Sequence, residues 1–75
     1  MPYDQKLIAE RILQLRTVEN DMTRKKFADK VGIGARSIEA YEYGQVCPSS
    51  YAVYAICKTF DVSADWLLGL KEGMR

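Results

Sequence analysis

The chain has 75 residues, of which 48% are apolar and 28% charged, enough for one small folded domain. No apolar stretch approaches the roughly 20 residues that cross a bilayer, and the N-terminus has no signal-peptide pattern, so we expect a cytoplasmic protein without a membrane partner. Two cysteines and no histidine exclude the usual Cys/His zinc sites and Cys–His catalysis. The net charge is only +1, which by itself is not typical of a dedicated nucleic-acid binder. We therefore expect no enzyme, no metal, no other cofactor and no small-molecule ligand.

Helix 1 is predicted from about Asp4 to Arg16, where apolar side chains recur at helical spacing. These side chains are Ile8, Ile12 and Leu15. The dipeptide Asn20-Asp21, a turn signal, then ends the segment. Thr23 is the expected N-cap of helix 2, whose inner residues are Phe27, Ala28 and Val31. Gly32 ends helix 2, since glycine suits a left-handed C-terminal position.

Three further helices follow. Helix 3 is predicted from Gly34 to Gly44, with Ile38 and Tyr41 pointing inward. Helix 4 begins at Ser49 or Ser50, and its predicted buried residues are Val53, Ile56, Cys57 and Phe60. Helix 5 is short: Ser63 caps it, Asp65 suits its N-terminal end, and Gly69 ends it after Trp66, Leu67 and Leu68. The prediction is an all-α, five-helix domain spanning residues 1–75, with a core of about 5–70 and a frayed tail at 71–75.

The turn between helices 2 and 3 has the spacing of a helix-turn-helix. Two helices joined this closely must cross steeply, which requires a small side chain at the contact. Ala28 supplies that side chain, and Gly32 reverses the chain four residues later. Branched aliphatic side chains then close the angle, namely Val31, Ile33 and Ile38.

The segment 23–44, TRKKFADKVGIGARSIEAYEYG, closely resembles the helix-turn-helix of the lambda-repressor and Cro-like (xenobiotic response element) family. The resemblance continues through residues 48–70, PSSYAVYAICKTFDVSADWLLGL, whose closing Val-Ser-x-Asp-Trp-Leu-Leu-Gly is common in that family. It covers roughly residues 5–70. It implies a compact five-helix domain that lays helix 3 in the major groove of duplex DNA.

Four residues of helix 3 are candidates for base contacts. If Ile38 marks the centre of the buried face, helical periodicity puts Arg36 and Ala40 opposite it and Ala35 and Glu39 at its flanks. Arg36 is the strongest candidate, because a guanidinium pairs in bidentate fashion with guanine, worth about 1–3 kcal/mol of discrimination. The alternative for Arg36 is a solvated surface arginine. The resemblance is imperfect here, since Gly34 replaces the usual polar cap and Ala40 replaces a longer side chain.

The positive charge is concentrated beside this helix. Residues 24–36 contain five basic residues and one acid, whereas the remainder contains six basic and nine acidic residues. Arg24, Lys25 and Lys26 occupy the first turn of helix 2, where the helix dipole prefers acids. An external anion would account for them, and the resemblance places Arg24 near the DNA backbone. Alternatively, the lysines simply extend into solvent.

The resemblance implies further roles. Tyr43 and Gln45, after helix 3, are candidates for phosphate contacts by their position in the family. Arg16 and Glu42 match an arginine late in helix 1 and a glutamate late in helix 3, which form an ion pair in many relatives. We expect that pair to hold helix 3 in place.

The expected function is that of a sequence-specific transcriptional regulator, a repressor that binds a pseudo-palindromic double-stranded operator as a homodimer. One such domain buries too little DNA surface for tight binding, and relatives often pair through the region of residues 66–70. Tyr51 and Tyr54 share a face of helix 4 that could also support self-association. The chain resembles small phage-type repressors and restriction-modification control proteins. The alternative is a protein-interaction module of the same fold, an antitoxin component or adaptor, which an exposed apolar patch away from helix 3 would favour.

The two cysteines leave a second choice open. Cys47 and Cys57 could form a disulfide, or Cys57 could be a small core residue and Cys47 an incidental loop thiol. An intracellular chain favours the second interpretation, because the cytosol keeps thiols reduced.

Overall fold

Helix starts in this chain are set by short polar side chains. In the computed structural model, which describes residues 4–75, Asp4, Thr23, Ser49 and Ser63 each accept a hydrogen bond from a backbone N–H in the first turn of the following helix. The helices are α1 (Gln5–Gln14), α2 (Arg24–Val31), α3 (Ala35–Glu42), α4 (Ser50–Phe60) and α5 (Ala64–Leu67). Residues 4–75 contain no strand. The all-α, five-helix prediction is confirmed, while residues 1–3 of the predicted domain lie outside the described range.

Helix 1 extends past Arg16, its predicted end, and stops at the turn signal Asn20-Asp21. It continues beyond α1 as a π-helical segment, Leu15–Glu19, in which the backbone winds more widely. Asn20 Nδ2 donates to the carbonyl of Leu15 at 2.7 Å, and Met22 N donates to the carbonyl of Arg16 at 2.9 Å. Two carbonyls of this segment therefore have partners without a glycine cap.

The core lies where all five helices meet. Its largest fully buried side chains are Ile8, Ile12, Leu15, Phe27, Ile38, Ile56 and Leu67. Phe27 also stacks on Phe60, with ring centroids 5.0 Å apart. These contacts cover the apolar face predicted for helix 1 and join α2 to α4.

The prediction for the buried face of helix 4 was partly wrong. Ile56 is buried as predicted, but the other fully covered side chains of α4 are Ala52 and Ala55. Val53, Cys57 and Phe60 are only half-buried against the core. Small alanines let α4 approach its neighbours closely, and the larger side chains then lie at the edge of the contact.

The C-terminal tail, for which the sequence predicts fraying, makes contacts with the domain. Ser63 N donates to the carbonyl of Met74 at 2.8 Å, and the Met74 side chain packs on the core. Arg75 Nη1 donates to the carbonyl of Asp61 at 3.1 Å. The tail thus supplies an acceptor to the cap of α5 and an apolar side chain to the core.

Arg11 joins the two ends of the chain. Its buried guanidinium lies over the Trp66 ring, 5.2 Å from the centroid, and donates to the carbonyls of Trp66 and Lys71, the latter at 3.0 Å. The buried charge is thus matched by two acceptors and an aromatic face.

The two cysteines do not form a disulfide with each other. Cys47 and Cys57 are both free and half-buried, and burial raises the pKa of the Cys57 thiol.

None of the helices within residues 4–75 has the length and apolar character needed to cross a membrane.

Candidate nucleic-acid interface

The angle between α2 and α3 is built by three residues of the connecting turn. Gly32 adopts a left-handed conformation, with φ of 77°, and its N–H and that of Ile33 both donate to the carbonyl of Ala28. The Ala28 side chain is 2% exposed, so the small residue lies at the helix contact as predicted. Gly34 then starts α3 in extended backbone but offers no capping side chain. The predicted helix-turn-helix geometry is present.

The outer face of α3 carries the residues predicted to contact bases. Ala35 and Arg36 are exposed in its first turn, whereas Glu39 and Ala40 are half-buried in its second. Ile38 is completely buried on the opposite side, and Tyr41 packs partly against the core. The exposed face therefore presents one cation and two small apolar side chains, flanked by one acid.

A cluster of two arginines and one glutamate holds α3 against the rest of the domain. Arg16 Nε donates to Glu42 Oε2 at 2.6 Å, and Arg16 Nη2 donates to Glu42 Oε1 at 3.0 Å. Arg24 donates to Glu42 Oε1 from Nε at 3.2 Å and from Nη2 at 3.1 Å. The Glu42 side chain is only 1% exposed, and its buried carboxylate thus has two guanidinium partners.

Arg24 also faces the outer side of α3. Its Nη1 lies 3.9 Å from Glu39 Oε2, and its guanidinium lies 5.6 Å from the centre of the Tyr43 ring. The hydrogen bond with Glu42 raises the pKa of Arg24 above its usual value. Arg24, at the start of α2, thereby contacts Glu39 and Glu42 of α3 and Tyr43, which follows α3.

The cations of the first turn of α2 differ in their surroundings. Lys25 pairs with Asp29 at 3.2 Å across one turn, and both side chains are largely exposed. Lys26 is exposed and has no ion-pair partner within residues 4–75. The sequence pattern indicated an external anion beside these three cations. For Arg24, the anion in the structure is the Glu42 carboxylate of the same chain.

The end of α3 is fixed by backbone contacts and by one distant side chain. Tyr43 and Gln45 are exposed, and Gln45 N donates to the carbonyl of Ala40 at 3.0 Å. Gly44 adopts a left-handed conformation, with φ of 71°. Gln5 Nε2 donates to the carbonyl of Gly44 at 2.6 Å, so the start of α1 holds the end of α3.

Sequence reasoning missed three of these contacts. It did not identify Gln5 or Arg11, and it assigned Arg24 to the DNA backbone without its carboxylate partners. No local sequence pattern predicts such contacts, since residues such as Gln5 and Gly44 lie 39 positions apart in the chain. The unfavourable cations at the start of α2 were the one usable signal, because such a charge needs an anion somewhere.

Comparison with known proteins gives a consistent result. A family model described as helix-turn-helix, of Cro/C1 type, matches residues 12–67. A crystal structure of the P22 c2 repressor protein in complex with a synthetic operator is similar, with a TM-score of 0.75 and 25% sequence identity. The match covers 87% of this chain and 97% of that one. No curated protein sequence matches this chain.

Proposed function

Because the chain belongs to the Cro/C1-type helix-turn-helix family, a family of DNA-binding regulators, we propose that it is a sequence-specific repressor acting as a homodimer. It binds double-stranded operator DNA with α3 in the major groove. The observation that carries the proposal is the exposure of the first turn of α3, which carries Arg36, together with the exposure of Lys25 and Lys26 in the first turn of α2. The P22 c2 repressor, whose structure is similar, was crystallised with operator DNA. Such a function puts the protein in the cytoplasm, on the nucleoid.

The base contacts come from the outer face of α3. In this docking mode the residues nearest the N-terminus of the recognition helix reach the base edges. Ala35 and Arg36 lie there, and Arg36 supplies the bidentate contact to guanine. Ala35 and Ala40 offer methyl contacts to thymine, and Glu39 accepts from a cytosine amino group. With so few polar contacts, part of the selectivity comes from DNA shape.

The phosphate contacts come from the two ends of the helix-turn-helix. Lys25 and Lys26 lie at the start of α2, next to Arg24, whose carboxylate partners engage it within the domain, and Tyr43 and Gln45 follow the end of α3. Each cation that neutralises a phosphate makes the affinity more sensitive to salt, with a slope of about −0.9 per contact. Lys26 is the best candidate, since within residues 4–75 it has no competing carboxylate.

Two copies pair through the apolar surface at the C-terminal side of the domain. Trp66 and Leu67 are in the core, 3% and 0% exposed, which leaves Leu70 as the accessible apolar side chain of the expected pairing region. Leu70 is 74% exposed and borders an open groove of about 860 Å³. Other side chains of the groove include Val53, Tyr54, Cys57 and Leu68. A second copy would cover an apolar surface that water otherwise contacts.

The central experiment is selection from a randomised duplex-DNA pool with the wild type, Arg36→Ala and Arg75→Ala. The wild type should enrich a two-fold symmetric motif with half-sites about one helical turn apart. Arg36→Ala should lose the preference at one base position of each half-site, whereas the exposed tail variant Arg75→Ala should keep it. If the wild type enriches no motif and its binding disappears with modest salt, the function is not sequence-specific DNA recognition.

Self-association is tested with variants of two apolar residues that are equally exposed to solvent. Leu70 and Val18 are both 74% exposed, but only Leu70 borders the groove. Leu70→Glu should shift the protein to monomer in sedimentation velocity and weaken operator binding, whereas Val18→Glu should do neither. Equal sedimentation of the two variants would contradict pairing through this surface.

The protein-interaction module remains the second candidate because the groove lies away from α3. An adaptor or antitoxin component would use this apolar surface for a different protein. The DNA selection separates the two functions, because an adaptor enriches no motif whatever its oligomeric state.

A further inference from the structure

We propose that Arg24 is a positioning residue for the DNA-binding surface: it holds and neutralises the Glu39 carboxylate, so that α3 can approach the phosphate backbone. This inference rests on the proposed function. It assigns Arg24 a task that differs from a direct phosphate contact.

The charge balance of α3 creates the need for such a residue. The helix carries one cation, Arg36, and two carboxylates, Glu39 and Glu42. Glu42 is buried, but the Glu39 side chain is 45% exposed beside the proposed base-contacting face. A free carboxylate there would repel the phosphates on either side of the groove.

Glu42 alone does not explain the placement of Arg24. Arg16 donates to both oxygens of Glu42, so that carboxylate is already bound in bidentate fashion by a neighbour that is 13% exposed. Arg24 adds a second guanidinium, whose Nη1 extends beyond Glu42 towards Glu39 at 3.9 Å. Of the two carboxylates of α3, Glu39 is therefore the one that has no cation partner other than Arg24 within residues 4–75.

The position of the Arg24 guanidinium is itself restrained. Nε and Nη2 are held by Glu42 Oε1, and the guanidinium lies over the Tyr43 ring. A guanidinium fixed on two sides presents its remaining donors in a defined direction. Glu39 consequently meets the DNA groove in an orientation that Arg24 sets.

A double-mutant cycle on operator affinity tests this assignment. The variants are Arg24→Gln, Glu39→Gln and the double variant, measured on the operator selected by the wild type over a series of salt concentrations. Arg24→Gln should weaken binding by about tenfold, within the usual range for coupled neighbours. Glu39→Gln in the Arg24→Gln background should restore at least half of that loss on a logarithmic scale, because no unneutralised carboxylate remains.

The matched control is the pair Lys25→Gln and Asp29→Asn, which are also on α2 and form an ion pair at 3.2 Å. If Lys25 contacts phosphate directly, Asp29→Asn should not rescue Lys25→Gln. Thermal unfolding of each variant separates a folding defect from a binding defect.

Three results would overturn the proposal. Additive effects in the Arg24–Glu39 cycle, with a salt slope reduced by about 0.9, would make Arg24 a direct phosphate ligand. Loss of stability in Arg24→Gln without rescue by Glu39→Gln would make its role purely structural. A wild type without any preferred operator would overturn the proposed function as well, and the first two results are distinguishable from this one because they require specific wild-type binding.

Discussion

The glutamate at the centre of the arginine cluster gives the most informative stability test. Glu42→Gln keeps the size of the side chain but removes its charge and turns an amide N–H₂ towards a guanidinium. The Glu42 side chain is 1% exposed and that of Arg16 13%, so the charge left on Arg16 would have little access to water. Breaking a buried ion pair on one side costs about 3–5 kcal/mol.

Two features of the cluster reduce this cost. Arg24 is 33% exposed and can turn to solvent, and the glutamine carbonyl still accepts one hydrogen bond. We therefore expect a loss of about 2–3 kcal/mol in the free energy of unfolding. The whole domain should have about 4–11 kcal/mol, so the variant loses a large share, and its Tm should fall by roughly 10–20 °C.

The assay is urea and thermal unfolding followed by circular dichroism, with Asp29→Asn as the control. Asp29 undergoes the same acid-to-amide change in an exposed ion pair and should lose less than about 0.5 kcal/mol. The double variant Arg16→Met/Glu42→Leu should recover at least half of the Glu42→Gln loss, because both buried charges are then absent and the half-buried Arg24 still has Glu39 nearby. A Glu42→Gln loss no larger than that of Asp29→Asn would refute this account of the cluster.

Three further predictions concern other parts of the domain. Gly34→Ser should stabilise the protein by about 0.5–1 kcal/mol in urea unfolding, more than Gly34→Ala does, because serine also caps α3 and a Cβ meets no atom within 4 Å. In a Cys47→Ala background, the thiolate absorbance of Cys57 should appear at higher pH in the folded protein than in urea. Since the folded pKa is raised, the stability that the neutral Cys57 thiol contributes is full below the unfolded pKa and is lost as pH rises through the folded pKa. Deletion of residues 71–75 should cost about 1–2 kcal/mol, whereas a frayed tail would cost nothing.

The parts of the fold that depend on local chemistry were predictable. Thr23, Ser63 and Gly32 cap helices through contacts within a few residues, and the structure has all three where the sequence indicated them. The starts and ends of helices follow such short-range rules because the backbone groups concerned are neighbours in the chain.

Features that depend on how helices meet were predicted less well. The apolar periodicity of α4 fits more than one rotation of the helix, and close approach to its neighbours selected the face with Ala52 and Ala55. The tail looked frayed because its partners, among them the N–H of Ser63, become neighbours only after the fold has formed.

The candidate site shows the same division. Helical phase, with Ile38 taken as the centre of the buried face, indicated the exposed position of Arg36. The contacts of Arg24 with Glu42 and Glu39 join two helices and had no local signal beyond an excess of cations. The ion pairs at this surface therefore join side chains that are far apart in the sequence, which local patterns do not predict.

The contact of Arg11 with the C-terminal end of the chain has a consequence for synthesis. Its acceptors are the carbonyls of Trp66 and Lys71, which lie 55 and 60 residues further along. While the ribosome still holds those residues, Arg11 has no partners and the inner surface of α1 lacks the cover that α5 provides. The contacts of Arg11 thus form only after residues 66–71 have left the ribosome, however early α1 itself is synthesised.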